Sequence, residues 1–284
     1  MASATQQRVF VPFFLLLVAC AWLALWAWDA SPYGAYLHHG LWTQIGAIQT
    51  TCSVTTSIGD GLIQALTYIG GWVLMTAAMM LPTTLPLLDG FRRMTLRRKD
   101  HNTLLSLVIG GYLVAWMVFG IAAHGVDWLL RQFFTDNIWL ALNGWVVGVI
   151  VLALAGIFQF SSIKYRCLDK CRAPLGFITR HWTGDAYKRQ SLLLGLEHGL
   201  YCVGCCWALM LLMFVVGTGG IGWMLLLAAV MAAEKNLPFG RRLSAPLGAL
   251  LIAGASAVAF YHIGSLNSLA LFDQATAGEA VGHG

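Results

Sequence analysis

Charged residues are scarce in this chain, since only 10% of its 284 residues are Asp, Glu, Lys or Arg. A soluble globular domain carries about a quarter. A chain with so few charges cannot cover its surface with groups that face water, which excludes an ordinary soluble domain. Proline is also sparse, with seven residues. The 31 glycines do not indicate disorder, because glycine is more frequent in membrane helices than in soluble ones.

The sequence also lacks the motifs of common enzymes and pumps. It contains neither G-x-S-x-G nor H-E-x-x-H, so hydrolase chemistry has no support, and a protein that is not an enzyme is favoured. It contains no P-loop, so any transport would have to run without a nucleotide-hydrolysing domain. No internal repeat is visible, which argues against an inverted-repeat transporter.

Long apolar segments are what the chain does contain, and 58% of its residues are hydrophobic. A membrane-spanning helix needs about 20 mostly apolar residues. Seven segments qualify: 9–28, 62–88, 103–123, 138–160, 191–216, 221–236 and 244–265. The sequence therefore predicts an all-α fold, a polytopic bundle of about seven transmembrane helices in one domain over residues 1–284, with a flexible tail at 266–284. Pro82 and Pro86 predict a kink near the end of the second segment.

Basic residues are distributed unevenly between the two sides of this bundle. With the N-terminus in the cytoplasm, 16 of the 17 Lys and Arg residues, Lys164 and Lys235 among them, fall on the inner side, and only Arg131 falls outside. This bias sets the orientation of membrane proteins. We expect a multi-pass protein of the bacterial inner membrane, with an extracytoplasmic segment at 29–60 and a cytoplasmic loop at 161–190. The net charge of +5 then requires no nucleic-acid partner.

The most informative residues lie in the segment 191–216. A helix advances about 100° per residue, so His198, Cys202 and Cys205 share one face, with Cys206 at its margin. Thiolate, thioether and imidazole suit Cu(I), whereas thiolate with imidazole suits Zn(II). A monovalent ion on one or two thiolates leaves little net charge to bury, which favours Cu(I) over Zn(II) as the bound metal. Packing as small hydrophobic residues is the alternative for the cysteines.

One helix cannot supply a complete ligand set, so a second one must contribute. Met75 and Met79 form an i, i+4 pair in the segment 62–88, and their thioethers bind soft metals without adding charge. Filling gaps in the bundle is the ordinary alternative for these methionines. Glu197 points away from the cysteine face, and we expect it to orient a ligand, pair with a lysine or carry a proton.

A second cysteine pair, Cys167 and Cys171, lies in the predicted cytoplasmic loop. The C-x3-C spacing puts both sulfurs on one side of a helical turn. The cytoplasm is reducing, which disfavours a structural disulfide, and the flanking basic residues favour thiolates. We expect this pair to capture or transfer the metal, unless the two are ordinary thiols.

Four stretches of the sequence resemble a bacterial family of predicted metal-binding integral membrane proteins, a domain of unknown function. They are Met75–Pro86, Gln159–Pro174, Leu196–Met210 and Glu234–Gly240. The third stretch contains the pattern HG-x-YC-x-GCCW. The resemblance spans about residues 65–255 and implies a polytopic membrane fold and metal binding, often taken to be copper handling. This chain reads Ser161-Ser162-Ile163-Lys164 where relatives tend to have Pro-Leu-Lys, which affects the start of the loop and not the cysteines.

Three functions are compatible with these patterns. The first is copper handling by a membrane protein, through binding, hand-off or assembly, with a metal donor or acceptor protein as partner. The second is an accessory subunit of a larger membrane complex, for which the twelve tryptophans and many small residues are suited. The third is a membrane thiol–disulfide oxidoreductase that uses the C-x-x-C of Cys202 and Cys205, although this pair lies in the middle of a helix.

Overall fold

The computed structural model describes residues 3–30, 58–136, 143–173, 176, 178–179, 182, 186–216 and 221–281. Every regular element within those ranges is helical, which confirms the predicted all-α fold. The elements are α1 (Ser3–Asp29), α2 (Ile58–Met79), a 3-10 helix (Leu81–Thr84), α3 (Leu85–Thr95), α4 (His101–Asp136), α5 (Trp145–Phe158), α6 (Ser162–Arg172), α7 (Tyr187–Val216), α8 (Ile221–Asn236) and α9 (Gly240–Val281).

Several of these helices are long and apolar enough to cross a membrane. Three qualify alone, within His101–Leu130, Tyr187–Met213 and Gly240–Gly264. Two bent pairs, α2 with α3 and α5 with α6, qualify when each pair is taken as one span, which gives up to five spans. The shorter helices α1 and α8 account for the other two predicted segments, so each of the seven segments corresponds to a helix or a bent pair. The chain is therefore a membrane protein.

The bend of 47° between α2 and α3 confirms the predicted kink. Pro82 and Pro86 lie in the first turns of the 3-10 helix and of α3, where proline is tolerated. The hydroxyls of Thr83 and Thr84 donate to the carbonyls of Met80 and Leu81, each over 2.7 Å. These bonds give side-chain donors to carbonyls at the helix break, where the carbonyl of Met80 also accepts the amide of Thr83 over 3.1 Å.

The bend of 63° between α5 and α6 was not predicted. Ser161 begins α6 as its N-cap, because its Oγ accepts a hydrogen bond from the amide of Lys164 over 3.2 Å. The first part of the predicted loop 161–190 is thus a helix, with Lys164 and Leu168 on its buried side. The bend turns α6 back against α7.

Glycines set the close packing of α4 against α7. A Cβ atom added to Gly111 would lie 2.2 Å from the carbonyl oxygen of Leu192, and one added to Gly195 would lie 2.0 Å from that of Val108. The two backbones therefore approach closely only because both residues lack a side chain. This contact places Tyr112 of α4 beside the cysteines of α7.

The end of the chain is helical for longer than the sequence predicted. α9 continues to Val281, whereas the last predicted membrane segment ends at residue 265. The segment 266–281 contains several Ala and Leu residues and no Pro, which is compatible with a continued helix. Most of the predicted extracytoplasmic segment 29–60 lies outside the described residues.

Candidate metal site

Three cysteine thiols of α7 are buried side by side. Cys202, Cys205 and Cys206 are each at most 2% exposed. The thiols of Cys205 and Cys206 donate to the carbonyl oxygen of Cys202, over 3.1 Å and 2.9 Å. These bonds to a carbonyl one turn earlier in the helix hold both thiols close to its surface. The predicted clustering of these three residues on one part of α7 agrees with this arrangement.

The thioether that reaches these thiols belongs to Met80. Its Sδ lies 3.9 Å from the Sγ of Cys206, and its side chain is fully buried. A metal ion with bonds of about 2.3 Å to two sulfurs can bridge a separation of up to roughly 4.6 Å, so one ion can bind both atoms. The predicted ligands Met75 and Met79 are buried in the same apolar cluster. Met80 follows Met79 at the break in the helix, where its side chain turns toward α7.

A lysine ammonium lies among the sulfurs, and sequence reasoning missed it. The Nζ of Lys235 is 2.8 Å from the Sγ of Cys202, 3.9 Å from that of Cys206 and 3.4 Å from the hydroxyl of Thr83. The residue is 7% exposed. Within the described part of the chain, no carboxylate lies at ion-pair distance from this ammonium.

One signal in the sequence would have found Lys235. Cys202 precedes Val216, the last residue of α7, by 14 positions, and Lys235 follows Ile221, the first residue of α8, by 14 positions. Two antiparallel helices joined by a short connection place residues at equal distances from that connection at the same level. The count alone therefore brings Lys235 to the height of Cys202.

Tyr112 and His198 border the cluster on the side of α4. The Tyr112 hydroxyl lies 3.0 Å from the Sγ of Cys202 and donates to the carbonyl of Met80 over 3.2 Å. The His198 ring is buried, with its centroid 6.1 Å from that of Tyr112. His198 thus lies one helical turn from Cys202, next to the sulfurs and close to the face that the sequence predicted.

α6 brings the second cysteine pair to the same place. Cys171 of α6 packs against the cluster that contains Cys205, and the two thiols are close enough to interact electrostatically. The Sγ of Cys167 lies against Gly204, at 2.7 Å from the position that a Cβ atom would take there. Five cysteine sulfurs from two helices and the thioether of Met80 therefore form one neighbourhood, which the sequence treated as two separate sites.

A buried ion pair lies next to the thiols. The Nζ of Lys164 donates to both carboxylate oxygens of Glu234, over 2.7 Å and 2.9 Å, and also to the amide oxygen of Gln159. The Ser244 hydroxyl donates to the same carboxylate over 2.7 Å. The sequence counted Lys164 and Lys235 with the basic residues of the inner side, but both ammonium groups are buried in the protein interior.

The end of α8 is fixed by α6. The Arg172 guanidinium donates to the carbonyl of Glu234 over 2.6 Å and to that of Pro238 over 3.1 Å. A cation at a helix C-terminus satisfies carbonyls that lack helical partners. Glu197, the carboxylate that the sequence singled out, is half-buried on α7, whereas the carboxylate of Glu234 is buried and pairs with Lys164.

The sulfurs are arranged as a chain and not as a cage. Within the described ranges, no three His, Cys, Asp or Glu side chains converge in a geometry that is ready to hold a metal ion. The six cysteines of those ranges are all free thiols. Such an arrangement offers two or three soft donors at a time to a passing ion.

Comparison with known proteins identifies the family. The model of a family described as "PpoB2: Copper chaperone" matches residues 69–258, which is well over half of the chain. No curated protein and no solved structure matches. The matched range includes Met80, both cysteine groups, Lys164 and Lys235. The chain therefore belongs to the PpoB2 copper chaperone family.

Proposed function

We propose that this protein is a membrane-embedded copper chaperone that binds Cu(I) between the thiols of Cys202 and Cys206 and the thioether of Met80. The observation that carries the proposal is the approach of the Met80 and Cys206 sulfurs to 3.9 Å, beside the buried Cys202. Soft sulfur donors select Cu(I) among the common metal ions. Exclusion of water from the site protects a bound Cu(I) ion from oxidants in solution.

The shape of the donor set favours Cu(I) over Zn(II). Structural zinc sites are almost always tetrahedral, with four ligands around one ion. A chain of sulfurs supplies two or three donors at one point, which is too few for zinc. The buried His198 ring borders the cluster and helps to exclude water from it, and Met75 and Met79 are further thioethers of the same apolar cluster on α2.

The two cysteines of α6 provide the entry or exit of the metal. Cys171 adjoins Cys205, which is on the same helix as Cys202 and Cys206. Transfer between sulfurs that already contact one another proceeds by ligand exchange, in which one metal–sulfur bond forms as another breaks. Cys167 and Cys171 then exchange Cu(I) with a donor or acceptor protein at the cytoplasmic side.

Metal analysis of protein purified without oxygen tests this function. We expect wild-type protein to retain Cu(I) against a chromophoric Cu(I) chelator, and the Cys202→Ser/Cys206→Ser variant to lose most of it, because serine does not replace a soft thiolate ligand. X-ray absorption at the copper edge should show sulfur neighbours in the wild type. His198→Ala and Met80→Leu should weaken binding by smaller factors.

Cys20 provides the matched control, since it is an exposed cysteine of α1 and lies outside the cluster. Cys20→Ser should bind as much copper as the wild type. Equal copper content in wild type, Cys20→Ser and Cys202→Ser/Cys206→Ser would overturn the proposed site.

A further inference from the structure

Lys235 is the least expected residue of the site, because its positive charge lies where a positively charged metal ion is proposed to bind. Its ammonium is 2.8 Å from the Sγ of Cys202. A buried charge is costly unless an opposite charge lies next to it. The neighbouring carboxylate of Glu234 does not fulfil this role, because it is already paired with Lys164.

We propose that Lys235 is a fixed positive charge that makes this site selective for monovalent over divalent soft metal ions. The inference rests on the proposed function and assigns to Lys235 the role of a specificity-determining residue. Metals bind thiolates and not thiols. Two thiolates around a monovalent ion leave one net negative charge, and the ammonium of Lys235 cancels it. Two thiolates around a divalent ion are already neutral, so the ammonium would then be a buried charge without a counter-charge.

The contacts of Lys235 support a role beside the metal. Its ammonium also lies 3.4 Å from the Thr83 hydroxyl, which donates its own proton to the carbonyl of Met80. The oxygen of Thr83 therefore remains an acceptor for the ammonium. When a metal ion enters between the sulfurs, Lys235 keeps this acceptor at the break after α2 and stays near the site.

The buried ion pair beside the site differs from Lys235 in its charge balance. Lys164 and Glu234 cancel one another, with side chains that are 0% and 3% exposed, and Ser244 and Gln159 complete their hydrogen bonds. This pair contributes no net charge to the site. Lys235 is adjacent to Glu234 in sequence, yet its contacts are with two thiols and a hydroxyl, so its charge is available to balance that of a metal complex.

Silver(I) and cadmium(II) provide the test, because both ions are soft and bind thiolates but differ in charge. The full-length protein in detergent would be titrated with each ion under reducing conditions, and the ratio of the two affinities compared between variants. Lys235→Leu should shift this ratio toward cadmium by about tenfold or more, because unit charges a few ångströms apart interact strongly in a buried site. Lys235→Arg should keep the wild-type ratio.

Two further variants keep the test decisive. Thr83→Asp retains Lys235 but supplies a carboxylate beside its ammonium, so it should shift the ratio in the same direction as Lys235→Leu even if the latter does not fold. Arg241→Ala removes a neighbouring exposed charge, with a side chain 57% exposed, and should leave the ratio unchanged. A ratio that is the same in wild type, Lys235→Leu and Thr83→Asp would overturn the inference while copper binding stands. Absence of silver and Cu(I) binding by the wild type would overturn the proposed function with it.

Discussion

Glu234 and Lys235 are consecutive residues whose charged groups have different partners. Glu234 is paired with Lys164, whereas Lys235 contacts the thiols of Cys202 and Cys206. Consecutive residues of a helix point about 100° apart, so these two side chains of α8 contact α6 and α7 at the same time. The last turn of α8 thus joins the structural ion pair to the candidate metal site.

Loss of one member of the buried pair should be costly. Lys164→Met leaves the carboxylate of Glu234 buried without its cation, so we expect it to lower the free energy of unfolding by about 3–5 kcal/mol. Thermal or denaturant unfolding in detergent measures this loss. The double variant Lys164→Met/Glu234→Gln should recover much of it, because no unpaired charge remains.

The exposed pair of Arg241 and Asp169 is the control for this prediction. Its side chains are 57% and 47% exposed, and Arg241→Ala should change the stability by less than about 1 kcal/mol. If Lys164→Met and Arg241→Ala lowered the free energy of unfolding by similar amounts, burial of the Lys164–Glu234 pair would not explain its contribution to stability.

At the residue scale, the sequence predicted the grouping of the cysteines on α7 better than the residues that surround them. The helical period of α7 is sufficient to group Cys202, Cys205 and Cys206, because all three lie on one element. Lys235 belongs to α8 and Met80 lies at the break after α2, so their approach depends on the register of α8 and on the geometry of that break. The sequence instead assigned Lys235 to the inner surface, because a lysine between apolar segments usually indicates a loop.

At the scale of the helices, their ends and bends bring the residues of this site together. α2 ends at Met79 beside the cluster, α8 reaches its last turn at Lys235, and α6 follows a bend of 63°. Irregular backbone at membrane depth is tolerated where it is buried in protein. The sequence predicted the first break from its prolines and the end of α8 from the segment 221–236. It did not predict the bend before α6, which no proline marks.

Glycine packing between α4 and α7 leads to a prediction about two adjacent residues. Gly111→Ala would place a methyl group 2.2 Å from the carbonyl oxygen of Leu192, whereas a Cβ atom at Gly110 meets nothing within 4 Å. We expect Gly111→Ala to destabilise the protein by about 1–3 kcal/mol through overpacking. Gly110→Ala should be neutral or stabilising by up to about 1 kcal/mol, because alanine favours a helix over glycine.

Thermal unfolding of the two variants in the same detergent compares them directly. Both remove one glycine from the same helix, so differences in helix propensity cancel. Equal melting temperatures would mean that α4 and α7 do not approach as closely as described.

At the scale of the whole molecule, the orientation in the membrane that the sequence predicts can be tested by chemical labelling. Lys99 is exposed in the short connection between α3 and α4, and we expect it in the cytoplasm, with Arg131 at the other end of α4 on the outside. In intact cells, a membrane-impermeant maleimide should label Arg131→Cys and leave Lys99→Cys unlabelled until the membrane is opened. The reverse pattern would invert the topology and move the cysteines of α6 to the outer side.

The all-helical fold and the approximate number of helices were predictable from hydropathy, because membrane spans require long apolar runs. The bends within the two helix pairs were harder to predict, since composition does not show whether an apolar segment continues straight or folds back. α6 illustrates the difference: its helix-forming sequence was read as a loop, because its residues are polar and its burial comes from contacts with α7 and α8.

The partners of α8 also bear on how the chain enters the membrane during synthesis. A membrane span needs about 20 mostly apolar residues, whereas α8 has only 16, and two of these in its last turn are charged. Thr83, Lys164, Arg172 and Cys202 all precede α8 in the chain. When the ribosome delivers Glu234 and Lys235, most of the groups that they contact have already been made. The order of the sequence thus lets the earlier helices act as an assembly template for a segment that would insert poorly by itself.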